Sequence, residues 1–313
     1  VKKSSCHPSK VVIIGAGRVG TSFAYAMMIR KLVSEIVLID VNKEKAMGEC
    51  MDLNHGIAFA ETLNIYCGDY SDCKNADYVV ITAGASQRPG ESRLKLVQRN
   101  TEILKSIIPQ ILKHTTTAKI ILVTNPVDIL TYVALKISGL PKNQVFGSGT
   151  TLDTSRFRFL LGRHFDVSPD SVDAYIVGEH GDSEVAVFSG VQIAGIPLEK
   201  MKGYSEKKMM DIYKHTKNAA YEVIKYKKST HFAIGLVATE FIEAMELNQR
   251  KVYPVSALLD GEFGLKDVCL SLPCLIGKDG VEKVMPIDLN ARELKGLKAS
   301  AEQLKKIYKT LKI

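Results

Sequence analysis

The sequence predicts an α/β protein: a doubly wound domain built on a parallel sheet over residues 1–148, followed by an α+β domain over residues 149–313. Three observations carry this. Short β-branched runs alternate with longer amphipathic stretches from residue 10 to about residue 126, a Gly-x-Gly-x-x-Gly turn follows the first run, and the alternation stops after Ser148. Apolar runs this short suit strands buried on both faces of a parallel sheet, and parallel neighbours need crossover helices between them.

Taken in order, the first strand is "KVVIIG" (10–15), and "GRVGTSFAYAMM" behind it has the apolar spacing of a helix. "EIVLID" (35–40) is the second strand, again with a helix-like stretch after it, and "LNIYC" (63–67) is the third. "DYVVITAG" (77–84) is the fourth; its helix lies behind the loop "ASQRPGES". "KIILVTN" (119–125) is the fifth. Beyond Ser148 come a long helix over residues 152–165, short strands, two further helical stretches and the strands "KVYPVSALL" and "KDVCLSLPCLIG". The Gly-containing turn "DGEFG" between these last two favours antiparallel pairing. A basic helix over residues 290–312 closes the chain.

A chain of 313 residues with 46% hydrophobic composition has ample material for a packed core. Its net charge of +8 does not predict a nucleic-acid or membrane partner, because the lysines are interspersed with apolar positions in helix-like segments such as "EKKMMDIYKHTKNAAYEVIKYKK" and read as solvated faces. No uninterrupted apolar run has the length of a membrane helix, and the opening segment has no signal-peptide core, so a cytoplasmic protein is expected. The six cysteines contain no C-x-x-C pair and are expected to be reduced. None of the seven histidines falls in a compact metal-binding pattern, and no metal is expected.

Gly15, Gly17 and Gly20 stand directly after the first strand and open the first helix, with Val19 inside the same turn. The first glycine permits the tight turn, the second lets the backbone approach a pyrophosphate, and the third allows close packing of helix on strand. The helix N-terminus adds unpaired N–H groups and a positive dipole end. Asp40 ends the second strand, where a carboxylate takes ribose hydroxyls and repels a 2′-phosphate; the simpler alternative is a polar residue at a strand end. The pattern predicts a Rossmann-type NAD site rather than one for NADP.

His180, in "AYIVGEHGDSEVAV", follows a short strand in a Gly-flanked polar turn, a position that presents a side chain to a cleft or simply satisfies the turn. Asp153 and Arg156, three apart on the helix over 152–165, share one face. An aspartate there can hold an imidazole in one tautomer and an arginine can grip a carboxylate; alternatively the two form an ordinary intrahelical ion pair.

From residue 10 onward the chain resembles the 2-hydroxy-acid dehydrogenases of the lactate/malate dehydrogenase superfamily, through "GAGRVG", "AGASQRPGESR", "TNPVD", "GSGTTLDTSRFR" and "GEHGDS". The resemblance implies that His180 is the proton donor and acceptor, that Asp153 orients it, that Arg156 anchors the substrate carboxylate, and that Arg93 is brought onto the carbonyl by a closing loop. By the same resemblance Asn125 helps place nicotinamide and substrate, Thr230 borders the substrate pocket and Ile234 belongs to the nicotinamide pocket.

The resemblance also gives Gln87 a meaning. Malate enzymes of the family carry arginine at that place, facing the second carboxylate of oxaloacetate, whereas lactate enzymes carry glutamine, suited to the methyl of pyruvate. The neighbouring Arg88 would offer oxaloacetate a cation only if the loop shifted by one residue; "QRPGE" matches the lactate pattern in register, so pyruvate and L-lactate are the expected substrates, with malate or another L-2-hydroxy acid as the alternative. Relatives activated by fructose 1,6-bisphosphate pair a histidine seven residues before the catalytic one with an arginine equivalent to Arg158. Here Asp173 holds the histidine's place, which predicts weak or absent activation. The family forms symmetric dimers and tetramers, which implies a homo-oligomer, with a homotetramer preferred to a dimer.

Overall fold

The computed structural model describes residues 9–60, 63–85, 90 and 92–311, with the backbone alone of Arg93. Its centre is a nine-stranded sheet. Six parallel strands form one part: β1 (Lys10–Ile14), β2 (Glu35–Ile39), β3 (Asn64–Cys67), β4 (Tyr78–Ile81), β5 (Lys119–Leu122) and β6 (Val145–Gly147), in the spatial order 3-2-1-4-5-6. The order reverses between β1 and β4, and such a switch point leaves a crevice at the carboxyl ends of the strands.

Helices α1 (Arg18–Arg30), α2 (Lys43–His55), α3 (Arg93–Leu112) and α4 (Val127–Ser138) cover this part. α4 was not among the elements expected from the sequence. It is buried without interruption from Val127 to Leu135, so it lacks the polar stripe that marks an amphipathic helix. The short β6 was also not expected; it is too brief to show a period.

The remaining chain contains α5 (Thr151–Phe165), the short strands β7 (Val172–Asp173), β8 (Ile176–Val177), β9 (Val185–Ala186), β10 (Gln192–Ile193) and β11 (Ile196–Pro197), the helices α6 (Glu206–Lys227) and α7 (Phe232–Glu246), the strands β12 (Lys251–Asp260), β13 (Lys266–Gly277) and β14 (Gly280–Val284), and α8 (Ala291–Tyr308). The pair β12–β13 is antiparallel, as the Gly-containing turn predicts, and β14 extends it. These three strands do not stand apart. β12 pairs antiparallel with β6, Ser256 opposite Gly147, and continues the parallel sheet. Gly147 has no room for a side chain: a Cβ there would lie 2.3 Å from Thr131 Oγ1 and 2.8 Å from Val127 Cγ2.

Alternation along the strands splits the core into two layers. Val12, Ile14, Val37, Ile39, Val79 and Ile81 pack in the layer that includes Ile108 of α3, Ile129 and Val133 of α4 and Leu304 of α8, while Val11, Ile13, Ile36, Leu38 and Val80 pack in the layer with Phe23 of α1 and Phe241 of α7. Each such fully buried side chain contributes roughly 1.5–3 kcal/mol of transfer free energy. A third cluster, around Phe157, Leu161, Val172 and Ile176, fixes α5 against β7 and β8. A bridge between Gly178 and Ser271 then ties the end of β8 to β13, so the segment leading to His180 is held at the sheet. Among the described residues no helix is long and apolar enough to cross a membrane.

Candidate active site

At the switch point the turn after β1 is shaped by its glycines. Gly15 has φ of +112° and donates its N–H to Ile39 O at 2.7 Å; a Cβ on it would lie 2.5 Å from Ala83 N. On Gly20 a Cβ would lie 2.0 Å from Gly15 O, so the fold itself requires both residues to lack a side chain. Gly17 differs, because nothing lies within 4 Å of the Cβ it lacks. It precedes α1, whose N-terminus has no side-chain cap, so a phosphate can approach the backbone closely there.

Asp40 closes the far side. Its Oδ2 accepts the Ala16 N–H at 2.8 Å and its Oδ1 accepts the Asn42 N–H at 2.9 Å, so the carboxylate braces the turn while remaining half-buried rather than covered. An open cradle, a bare helix terminus and an anion where a 2′-phosphate would fall together fit NAD.

The chemical end is assembled by α5 and by the β8–β9 loop. Asp153, on the first turn of α5 and almost fully buried, divides its two oxygens: Oδ1 accepts from Arg156 Nη1 at 2.7 Å, and Oδ2 lies 2.5 Å from His180 Nδ1. Both alternatives read from the sequence therefore hold at once. The intrahelical ion pair exists, and it leaves the second oxygen for the imidazole. Burial by itself works to lower the pKa of His180, but the Asp153 charge and hydrogen bond outweigh it, and the imidazole stands raised to about 9. For Asp153 burial favours the neutral acid, yet His180 and Arg156 win and hold the carboxyl below its ordinary range.

These groups open into a cavity of about 420 Å³ bordered by Asn125, Arg156, His180, Glu184, Tyr221 and Ile224. A second space of about 150 Å³ shares Asn125, Arg156 and His180 with it and reaches Val19, Thr230 and Ile234. The structure thus brings Val19, Asn125, Asp153, Arg156, His180, Thr230 and Ile234 to one connected site, with Gly15, Gly17, Gly20 and Asp40 forming the turn beside it. Gln87 and the side chain of Arg93 lie outside the described residues; the Arg93 backbone begins α3. Asn125 sits behind β5, its carbonyl accepting from Asn100 Nδ2 at 2.8 Å, while Asn100 Oδ1 accepts the Ala85 N–H at 2.8 Å and so joins the loops after β4 and β5.

Two buried acids at this site were not singled out from the sequence, although both lie in stretches quoted above. Glu184 borders the cavity; burial, then the nearby Asp153 charge, push its carboxyl up to about 8, and its Oε1 has no hydrogen-bond partner among the described residues. Asp128, from "TNPVD", accepts the main-chain N–H of His180 at 2.7 Å. A carboxylate inside an otherwise apolar helix start is the signal that would have found it. Among the described residues no group of three or more histidine, cysteine or acidic side chains is placed to hold a metal ion.

Comparison with known proteins adds the following. Residues 9–147 match the model of the lactate/malate dehydrogenase NAD-binding domain, and residues 150–312 match that of the lactate/malate dehydrogenase alpha/beta C-terminal domain. The chain is 49% identical to an L-lactate dehydrogenase of Acetivibrio thermocellus, covering 97% of this chain and 98% of that one, and 48% identical to an L-lactate dehydrogenase of a Synechococcus strain, covering 96% and 98%. Its fold superposes on the crystal structure of a minor L-lactate dehydrogenase from Enterococcus mundtii with a TM-score of 0.95 at 40% identity, over 98% of this chain and 99% of that one.

Proposed function

The chain belongs to the lactate/malate dehydrogenase family, and we propose from this that it catalyses the reversible, NADH-dependent reduction of pyruvate to (S)-lactate. The observation that carries the reading is the division of Asp153 between Arg156 and His180 inside a cavity that runs on to the dinucleotide turn. Bound NADH supplies the hydride for C2 of the keto acid.

The protein's part is to hold the acid and to provide the proton. With Nδ1 of His180 engaged by Asp153, Nε2 gives its proton to the oxygen that becomes the lactate hydroxyl, and takes it back in the reverse direction. Arg156 retains guanidinium donors beyond the Nη1 bond to Asp153 and grips the substrate carboxylate, which defines the face presented to the cofactor. Arg93 stabilises the negative charge growing on the carbonyl oxygen, and Gln87 faces the methyl group. Asn125, Thr230 and Ile234 border substrate and nicotinamide; Gly15, Gly17, Val19, Gly20 and Asp40 take the pyrophosphate and ribose. Residues 1–148 form the cofactor domain and residues 149–313 the substrate domain.

The chain works in the cytoplasm, reoxidising NADH at the end of glycolysis in fermentation, as a homotetramer. Tyr25, Ile29, Met47, Met51, Phe232 and Leu236, on α1, α2 and α7, are each more than half exposed, an apolar surface that suits burial against further copies. Light scattering reads this: a monomeric mass at micromolar protein contradicts it.

The deciding assay is NADH oxidation with pyruvate and with oxaloacetate at equal concentration. A strong preference for pyruvate is expected. Preference for oxaloacetate would mean that a cation such as Arg88 reaches the substituent of the keto carbon, and the malate reading would replace this one.

A further inference from the structure

Asp128 is in the first turn of α4, where the unpaired N–H groups of the helix favour an anion, and it is 1% exposed. Its Oδ2 accepts the main-chain N–H of His180 at 2.7 Å. The buried Ser256 hydroxyl of β12 stands beside the carboxylate and works to lower its pKa. The ionisable groups facing Asp128 are few. His180 and Glu179 come from the β8–β9 loop, Cys269 from β13 and Tyr308 from α8. Burial holds the Cys269 thiol and the Tyr308 phenol well above their ordinary values, so both are neutral, and protonated His180 is the cation among the four.

We infer that Asp128 is a positioning residue for the reaction: its hydrogen bond to the His180 backbone fixes where the imidazole is presented, and its buried charge favours the protonated ring that pyruvate reduction consumes. The inference rests on the reading of His180 as proton donor. Asp153 acts on the ring through Nδ1, whereas Asp128 acts on the backbone that carries it, from another helix and another layer of the fold. Removing the Asp128 charge therefore leaves the His180–Asp153 contact in place while taking away an anion that, with Asp153 and the largely neutral Glu184 facing the same ring, favours the imidazolium against the Arg156 cation. Burial raises the Asp128 carboxyl to about 6, against hydrogen bonds that lower it, so the anion is present near neutrality and is lost on the acid side.

The test compares wild type, Asp128→Asn and Asp128→Ala by NMR titration of histidine labelled with carbon-13 and by the pH profile of kcat/KM for pyruvate. Asparagine keeps an acceptor for the His180 N–H and removes the charge. The His180 titration and the alkaline limb of pyruvate reduction are both expected to move down by about half a pH unit or more in Asp128→Asn, with NADH affinity kept. In Asp128→Ala the hydrogen bond goes as well, and kcat is expected to fall at least about tenfold even where His180 is fully protonated. A merely structural role predicts lower thermal stability with no movement of the limb. An unmoved His180 titration in Asp128→Asn overturns the inference, and this reading needs no turnover. If the titration moves but wild type does not reduce pyruvate, the hold of Asp128 on His180 stands and the proton-donor reading falls instead. Should Asp128→Ala not fold, Asp128→Asn decides alone.

Discussion

Asp153 meets the His180 ring at Nδ1, 2.5 Å away, and this contact fixes both the tautomer and the sign of the ring's pKa shift. Burial pulls the imidazole down and Asp153 more than restores it, to about 9. With His180 as the proposed proton donor, kcat/KM for pyruvate reduction is expected to hold across neutrality and to fall as pH rises through about 9, while lactate oxidation gains over the same span. A limb near the ordinary histidine value would show that Asp153 does not dominate.

Replacing the ring removes the proton but little of the cofactor's surroundings. In His180→Asn, NADH binding is expected to stay near wild type and pyruvate reduction to drop about 10²- to 10⁴-fold. Fluorescence titration with NADH beside steady-state rates reads both, and wild-type turnover would take His180 out of the chemistry.

Arg156 pairs with Asp153 through Nη1 at 2.7 Å. Lysine would retain a charge but not the planar fork, so Arg156→Lys is expected to lower kcat/KM for pyruvate roughly 10- to 100-fold, mostly through KM, with NADH affinity unchanged. A change confined to kcat would argue against carboxylate anchoring.

The glycines of the dinucleotide turn separate folding from binding. At Gly20 a methyl would meet Gly15 O at 2.0 Å, so Gly20→Ala is expected to cost at least about 1–3 kcal/mol and to lower Tm by several degrees. At Gly17 the same methyl meets no protein atom within 4 Å, so Gly17→Ala is expected to keep Tm and to weaken NADH. Calorimetry paired with NADH titration distinguishes the two; equal losses of stability would contradict the assignment of Gly17 to the cofactor.

Arg158 is already engaged. Its Nη2 lies 3.5 Å from Asp173 Oδ1, its Nε donates to Ala174 O at 2.9 Å, and its guanidinium stands 5.1 Å from the centre of the Tyr175 ring. An incoming sugar bisphosphate would have to displace or approach the Asp173 anion, so micromolar fructose 1,6-bisphosphate is expected to leave the pyruvate KM unchanged. A several-fold fall in KM would show that it does displace it.

Strands β1, β2, β4 and β5 were legible because each is rich in β-branched residues and closed by a polar or glycine turn, β3, with one β-branched residue, by its place in the alternation, and α5 because Phe157, Leu161 and Phe165 recur at four-residue spacing. α4 was not, since a helix buried on every side carries no period to read. In the site, Gly15, Gly17, Gly20 and Asp40 are readable from spacing along one strand–turn–helix unit. Asp153 and His180 are 27 positions apart, and nothing local says that they meet; the resemblance to a family supplied that. Asp128 is 52 positions from His180 and touches only its backbone, so no side-chain pattern pointed to it.

The pairing of Ser256 with Gly147 has a consequence for the modularity of the chain. The halves proposed for cofactor and substrate adjoin in sequence near residue 148, yet a cut there would uncover one edge of β6 and one of β12, the former with its glycine buried. Such edges seek other strands. Expressed alone, either half would present an adhesive margin, so the two are separable as lengths of sequence but share one sheet, and exchanging either by engineering has to rebuild the seam between β6 and β12.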